Sequence, residues 1–92
     1  MQETFGIAAF RSRQQVLALD MTLRREGLNV GVVSTPRDVA LGCGLSVRFS
    51  MEDLGSVMRA IAALKPGNLV GVYHVDRVGG RNKLTPVGVY RE

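Results

Sequence analysis

The segment from Leu45 to Ser50 constrains the fold of this chain most, because apolar and polar residues alternate along it without interruption. A period of two is typical of a strand that buries one face and exposes the other. Immediately afterwards the apolar spacing changes to the i, i+3, i+4, i+7 pattern of an amphipathic helix. The residues with that spacing are Leu54, Val57, Met58, Ile61 and Leu64. We therefore predict a strand joined directly to a helix over residues 51–64, which Ser50 caps.

Similar patterns predict a second helix and further strands. The second helix is predicted over residues 13–26, with Ser12 as its capping residue. A Gly79-Gly80 turn is predicted before the last strand. The predicted strands cover residues 5–10, 29–35, 69–75 and 84–90. This order predicts an α+β fold, namely a ferredoxin-like βαββαβ two-layer sandwich with a mainly antiparallel sheet and an added C-terminal strand or hairpin.

The helix predicted over residues 13–26 carries its own apolar face. That face is made by Val16, Leu19 and Leu23, and it is flanked by Leu17 and Met21. Asp20 and Arg24 interrupt the apolar arc at i, i+4 spacing, so we expect these two side chains to pair with each other.

Length and composition bound the class of protein. A chain of 92 residues is expected to form a single domain over residues 1–92, with one modest core. No apolar run approaches the roughly 20 residues that cross a bilayer, and residues 1–4 lack the character of a secretion signal. The one cysteine cannot form an internal disulfide, which fits a reducing compartment. We therefore expect a soluble, cytoplasmic protein without membrane association.

The formal net charge of +4 comes from arginines and lysines scattered along the chain. Such mild basicity is typical of a solvated surface, and an acidic protein partner or nucleic acid would be the alternatives. An RNA-binding sheet of this kind would carry several stacking aromatics, whereas the strand over residues 45–50 has only Phe49. The sequence thus disfavours nucleic acid as a partner.

Few residues are candidates for covalent chemistry. His74 is the only histidine and stands within a predicted strand, where a packed or exposed strand residue is the better interpretation. The glycine pattern around Cys43 is too short for a nucleotide-binding loop, so we predict no cofactor. A single cysteine excludes a metal site built from several cysteines, and we predict no metal. Residues 35–44 form a segment longer than a tight hairpin needs, and Thr35 with Pro36 would start one helical turn there.

Cys43 stands between Gly42 and Gly44 near the end of that segment. The two glycines leave the sulfur without steric cover and allow backbone N–H groups to turn towards it. Arg37 and Arg48 would favour the thiolate if their side chains lay close to the sulfur. A lone cysteine can equally be a small buried apolar residue, so both interpretations stay open at this point.

The order Thr35-Pro36-Arg37, Gly42-Cys43-Gly44-Leu45 and Arg48-Phe49, followed by the helix predicted over residues 51–64, resembles the family called putative selenium/sulfur carrier protein-like. The resemblance covers about residues 5–64 and leaves residues 68–92, the C-terminal strands, outside it. It implies that Cys43 holds sulfur or selenium as a persulfide or selenenylsulfide, exchanged with donor and acceptor proteins. The residues it implies as shaping the thiol loop are Thr35, Pro36, Arg37, Gly42 and Gly44.

Two functions therefore compete. The first is a carrier rather than a true enzyme, acting through Cys43. The second is a non-catalytic regulatory or protein-interaction module, in which Cys43 would be inert and buried. Such a module would form a homo-oligomer through exposed edge strands, for which the apolar residues 87–90 are a candidate. Weak RNA binding through the basic residues is a third and less favoured alternative.

Overall fold

The structure is a computed structural model that describes residues 2–37, 39, 42–64 and 67–88. The described part contains five strands, two α-helices and a short 3₁₀ turn. In chain order they are β1 (Gln2–Phe10), α1 (Arg13–Arg25), β2 (Gly31–Ser34), β3 (Leu45–Phe49), the 3₁₀ turn (Met51–Asp53), α2 (Leu54–Leu64), β4 (Leu69–Val78) and β5 (Arg81–Gly88).

The five strands form one open sheet in the order β2-β3-β1-β4-β5, and every neighbouring pair in it is antiparallel. β1 lies at the centre, where Gly6 is paired with Phe49 of β3 on one side and with His74 of β4 on the other. The fold is therefore α+β, and its single sheet with two helices is compatible with a two-layer sandwich.

Both helices pack against the same face of the sheet. Alternate residues of each strand point to opposite faces, so the apolar strand residues divide into two sets. One set joins the helices in the main core, and the other, Phe5, Ile7 and Val75, forms a smaller cluster on the other face. The main core contains Val16, Leu19 and Leu23 of α1, Val57, Ala60 and Ile61 of α2, and Ala8, Phe10, Val47, Phe49 and Val72 of the strands.

Several predicted boundaries shift in the structure. The last hairpin is longer than predicted, because Gly79 and Gly80 both adopt positive φ, of 57° and 80°. Such a two-residue turn suits the twist of a hairpin, and pairing therefore starts directly beside it, at Val78 and Arg81. Of the strand predicted over residues 84–90, the last two residues lie outside the described part.

The helix starts also differ in their capping. The Ser50 hydroxyl accepts a hydrogen bond from the Glu52 N–H at 3.4 Å, as predicted. Ser12 occupies the capping position of α1 in an extended conformation, but its hydroxyl makes no capping bond within the part of the chain that the structure describes. The Ser12 carbonyl instead accepts the N–H groups of Gln15 and Val16.

The outer surface of α1 departs from the predicted apolar arc. Leu17 and Met21 are 47% and 54% exposed, because they lie on the side of the helix away from the core. The predicted ion pair is confirmed, since Arg24 Nε donates to Asp20 Oδ2 at 2.9 Å. Neither helix has the length and apolar character needed to cross a membrane, over the residues that are described.

Candidate functional site

Cys43 lies in the bend formed by residues 42–44, directly before β3. Its backbone N–H donates to the Phe10 carbonyl at 3.0 Å, which attaches the bend to the last residue of β1. The side chain is exposed, and its Sγ donates a weak hydrogen bond of 3.8 Å to the Leu45 carbonyl. The thiol therefore stands at the rim of the sheet, on a bend that a backbone hydrogen bond holds in position.

The two glycines beside Cys43 have different structural requirements. Gly42 has a φ of 119° and Gly44 a φ of 86°, both in the region that residues with a Cβ rarely adopt. A Cβ on Gly42 would also lie 2.8 Å from the Phe10 carbonyl oxygen, whereas a Cβ on Gly44 would point into open space. Gly42 therefore permits the close approach of the bend to β1, and Gly44 permits the turn into β3.

Thr35 ties the two ends of the segment together. Its N–H donates to the Gly44 carbonyl at 2.8 Å, which continues the β2–β3 pairing one step beyond Ser34. Its hydroxyl lies 2.6 Å from the hydroxyl of Ser46, which is fully buried. Sequence reasoning named Thr35 but missed Ser46, whose only signal was its place on the polar side of the alternating strand.

The segment between these ties is described in part. The Val39 N–H donates to the Pro36 carbonyl at 3.0 Å, which closes a single turn after Thr35. Pro36 is half-buried and Arg37 is exposed. The predicted segment also includes residues 38, 40 and 41, which lie outside the described residues.

Arg48 is engaged in other contacts. Its guanidinium forms an ion pair with Glu3 at 3.2 Å and lies over the Phe5 ring, 3.9 Å from the ring centre. Phe5 precedes Phe10 by five residues, and five residues of an extended strand span about 16 Å. The contacts of Arg48 therefore lie towards the opposite end of β1 from the bend. These contacts disfavour the predicted support of the thiol by Arg48, and support by Arg37 stays a prediction.

Three charged residues, Glu3, Arg48 and Arg77, are grouped around Phe5, and the sequence analysis did not predict this group. Glu3 binds Arg77 at 3.3 Å as well as Arg48, and Arg77 also lies over the Phe5 ring, at 5.4 Å. Arg77 Nε donates to Asn82 Oδ1 at 3.0 Å. No local pattern could have revealed this group, because it depends on the register of β1 against β4.

His74 and Asp76 form a smaller polar contact on β4. His74 Nε2 lies 3.5 Å from Asp76 Oδ1, and Thr4 Oγ1 donates to the same carboxylate oxygen at 3.0 Å. Among the residues described, no three histidine, cysteine, aspartate or glutamate side chains are grouped as metal ligands would be. The exposed sulfur of Cys43 can itself act as a nucleophile towards another sulfur or an electrophile.

Comparison with known proteins identifies the family. No curated protein and no solved structure matches this chain significantly. The family described as putative Se/S carrier protein-like matches residues 5–66, which is more than half of the chain. The family to which the sequence showed a resemblance is thereby confirmed. The chain belongs to the putative Se/S carrier protein-like family.

Proposed function

We propose that this chain is a sulfur or selenium carrier that holds its cargo on Cys43 as a persulfide or a selenenylsulfide. The observation that carries the proposal is the exposure of the Cys43 sulfur, on a bend that backbone bonds hold against the end of β1. A carrier needs a sulfur that partner proteins can reach from outside, and a fixed backbone presents that sulfur in one place.

Loading would follow ordinary thiol exchange. The Cys43 thiolate attacks the outer sulfur of a persulfide on the donor protein, and a bond forms between Sγ and that sulfur. The bond between the two donor sulfurs breaks, and the donor cysteine leaves as a thiolate that takes up a proton. The transferred sulfur keeps its oxidation level, so no external oxidant or reductant is consumed.

Delivery reverses these steps. A nucleophile on the acceptor protein attacks the outer atom of the cargo, and Cys43 leaves as the thiolate. With selenium the outer atom is selenium and the bond that forms and breaks is Sγ–Se. The neighbouring glycines suit both steps, because they place no side chain between the sulfur and an approaching partner.

The scaffold supports this role. The order β2-β3-β1-β4 with both helices on one face supports assigning the fold as ferredoxin-like, with β5 as an added edge strand. The partners would be donor and acceptor proteins in the cytoplasm, where a single cysteine remains a reduced thiol.

The alternative is a regulatory or interaction module in which Cys43 is inert. Burial of the cysteine was the feature expected of such a module, and the exposed side chain favours the carrier instead. Pairing between copies at a sheet edge would favour the module. β5 is one of the two edge strands, but residues 89 and 90 of the candidate interface lie outside the described part.

Alkylation of Cys43 tests whether the thiol is accessible. Iodoacetamide should modify the folded protein at least as fast as the denatured protein, because the sulfur is already exposed. Intact mass would follow the reaction, with Cys43→Ser as the variant that gains no mass. Modification that occurs only after unfolding would refute the carrier and leave the interaction module.

A further inference from the structure

A row of four exposed side chains runs along the outer surface of α1. Arg13, Leu17, Met21 and Arg25 follow one another at intervals of four residues, so they form one ridge on the helix. Leu17 is 47% exposed and Met21 is 54% exposed, although both are large apolar residues. We call these four residues the α1 ridge. Its pattern is a pair of apolar residues with an arginine at each end.

A contact within the α1 ridge orders its C-terminal end and leaves the apolar residues exposed. Arg25 Nη2 lies 3.5 Å from Met21 Sδ, so the arginine extends along the apolar pair. Beside the ridge, Arg24 is neutralised by its ion pair with Asp20. The first turn of α1 contains no acidic residue. Among the described residues neither Arg13 nor Arg25 forms an ion pair, so each end of the ridge keeps a positive charge.

The ridge begins near the thiol. Cys43 donates its N–H to Phe10, and α1 starts three residues after Phe10, at Arg13. A helix rises 1.5 Å per residue, which places Leu17 about 6 Å and Met21 about 12 Å along the axis from Arg13. A protein that contacts the ridge would therefore lie close to the end of the sheet where Cys43 is exposed.

We infer that the α1 ridge is the docking surface for the sulfur donor protein, and that the donor presents an acidic amphipathic helix to it. This inference rests on the proposed carrier function. A partner helix whose own ridge carries two apolar residues between two carboxylates would pack against Leu17 and Met21. Its carboxylates would meet Arg13 and Arg25, which fixes the register of docking and speeds encounter.

The pattern of the α1 ridge disfavours two other occupants, a second copy of this chain and a membrane surface. A second copy of this chain would place an arginine against an arginine in either orientation of the two helices, because both ends of the ridge are basic. A membrane surface would require a broad apolar face, whereas here the apolar part is a single row, since Val16, Leu19 and Leu23 lie in the core.

Loading by a cysteine desulfurase, supplied with free cysteine, tests the inference on the full chain. The initial rate of sulfur transfer would be followed by intact mass at low carrier concentration. Met21→Glu should lower this rate about tenfold, as expected for an interface residue whose loss weakens docking. Val78→Glu is the matched control, because Val78 is 56% exposed and is paired with Gln2, at the opposite end of β1 from the Cys43 bend. Its rate should equal that of the wild type.

Alkylation of Cys43 by iodoacetamide should be the same in all three proteins, since a small reagent needs no docking surface. Equal loading rates for Met21→Glu and Val78→Glu would overturn the ridge as a docking surface. If the wild-type protein gains no sulfur from the desulfurase, the proposed function itself is refuted. Dimerisation, or binding to vesicles containing phosphatidylserine, that Met21→Glu abolishes would assign the ridge to a second copy or to a membrane and so overturn the inference.

Discussion

The two ends of β1 are built in opposite ways. At its last residue, Phe10, the strand receives the Cys43 bend through a backbone hydrogen bond, and the thiol side chain is exposed. Near its start, Glu3 joins Arg48 and Arg77 around the ring of Phe5. One end fixes a backbone and leaves its functional group exposed, and the other end uses charged side chains to cover an apolar one. A reactive sulfur is best presented by the first kind of construction.

The largest effect on stability is expected near the start of β1, where charged side chains surround Phe5. Phe5 is buried in the smaller cluster, so Phe5→Ala should lower the free energy of unfolding by about 3–5 kcal/mol. Urea denaturation would measure the loss. The alkylation rate of Cys43 in the fraction that remains folded should not change. A large change in that rate would show that the two ends are coupled, which contradicts the comparison.

A smaller effect is expected at the thiol end. Gly42→Ala combines an unfavourable positive φ with a close approach to the Phe10 carbonyl, and should cost about 3 kcal/mol of unfolding free energy. Gly44→Ala has only the φ penalty and should cost about 1–2 kcal/mol. Denaturation of the two variants side by side checks the order. If Gly44→Ala were the more damaging variant, the proposed contact between the bend and β1 would be wrong.

The smallest effect on stability is expected for Arg48 and Arg37, and these two arginines should differ in their effect on the alkylation of Cys43. Arg48→Ala removes a half-exposed ion pair and a stacking contact, so it should cost about 0.5–1 kcal/mol and less at high salt. It should leave the alkylation rate of Cys43 unchanged. Arg37→Ala should slow alkylation without changing stability, if Arg37 favours the thiolate. Slower alkylation in Arg48→Ala would show that Arg48 does act on the thiol, as the sequence first suggested.

The sequence was most informative where a pattern is local. The alternation from Leu45 to Ser50 predicted β3, which ends one residue earlier, at Phe49. The spacing after Ser50 predicted a helix over residues 51–64, of which the first three residues form the 3₁₀ turn and the rest form α2. The glycines beside Cys43 marked the bend for the same reason, since positive φ is a property of single residues. Local chemistry of this kind is visible without knowing what lies across the fold.

Contacts between distant segments could not be predicted in this way. Arg48 was expected near Cys43 because it is close in sequence, but strand alternation and register place it against Glu3 and Phe5. Leu17 and Met21 were expected to flank the apolar face of α1, yet both are exposed, because the core fills only the opposite side of the helix. In both cases the outcome depends on which surfaces the sheet and helices present to each other, and that is decided by packing across the whole domain.

Intact mass after incubation with a cysteine desulfurase and free cysteine tests the carrier function most directly. The proposed carrier should gain the mass of one sulfur atom, and a reducing agent should remove it, because a persulfide is reducible. Cys43→Ser should gain nothing, while its unfolding curve stays close to that of the wild type. Sulfur bound equally by Cys43→Ser, or no gain in mass by a folded and alkylatable wild type, would contradict the assignment of Cys43 as the residue that carries the cargo.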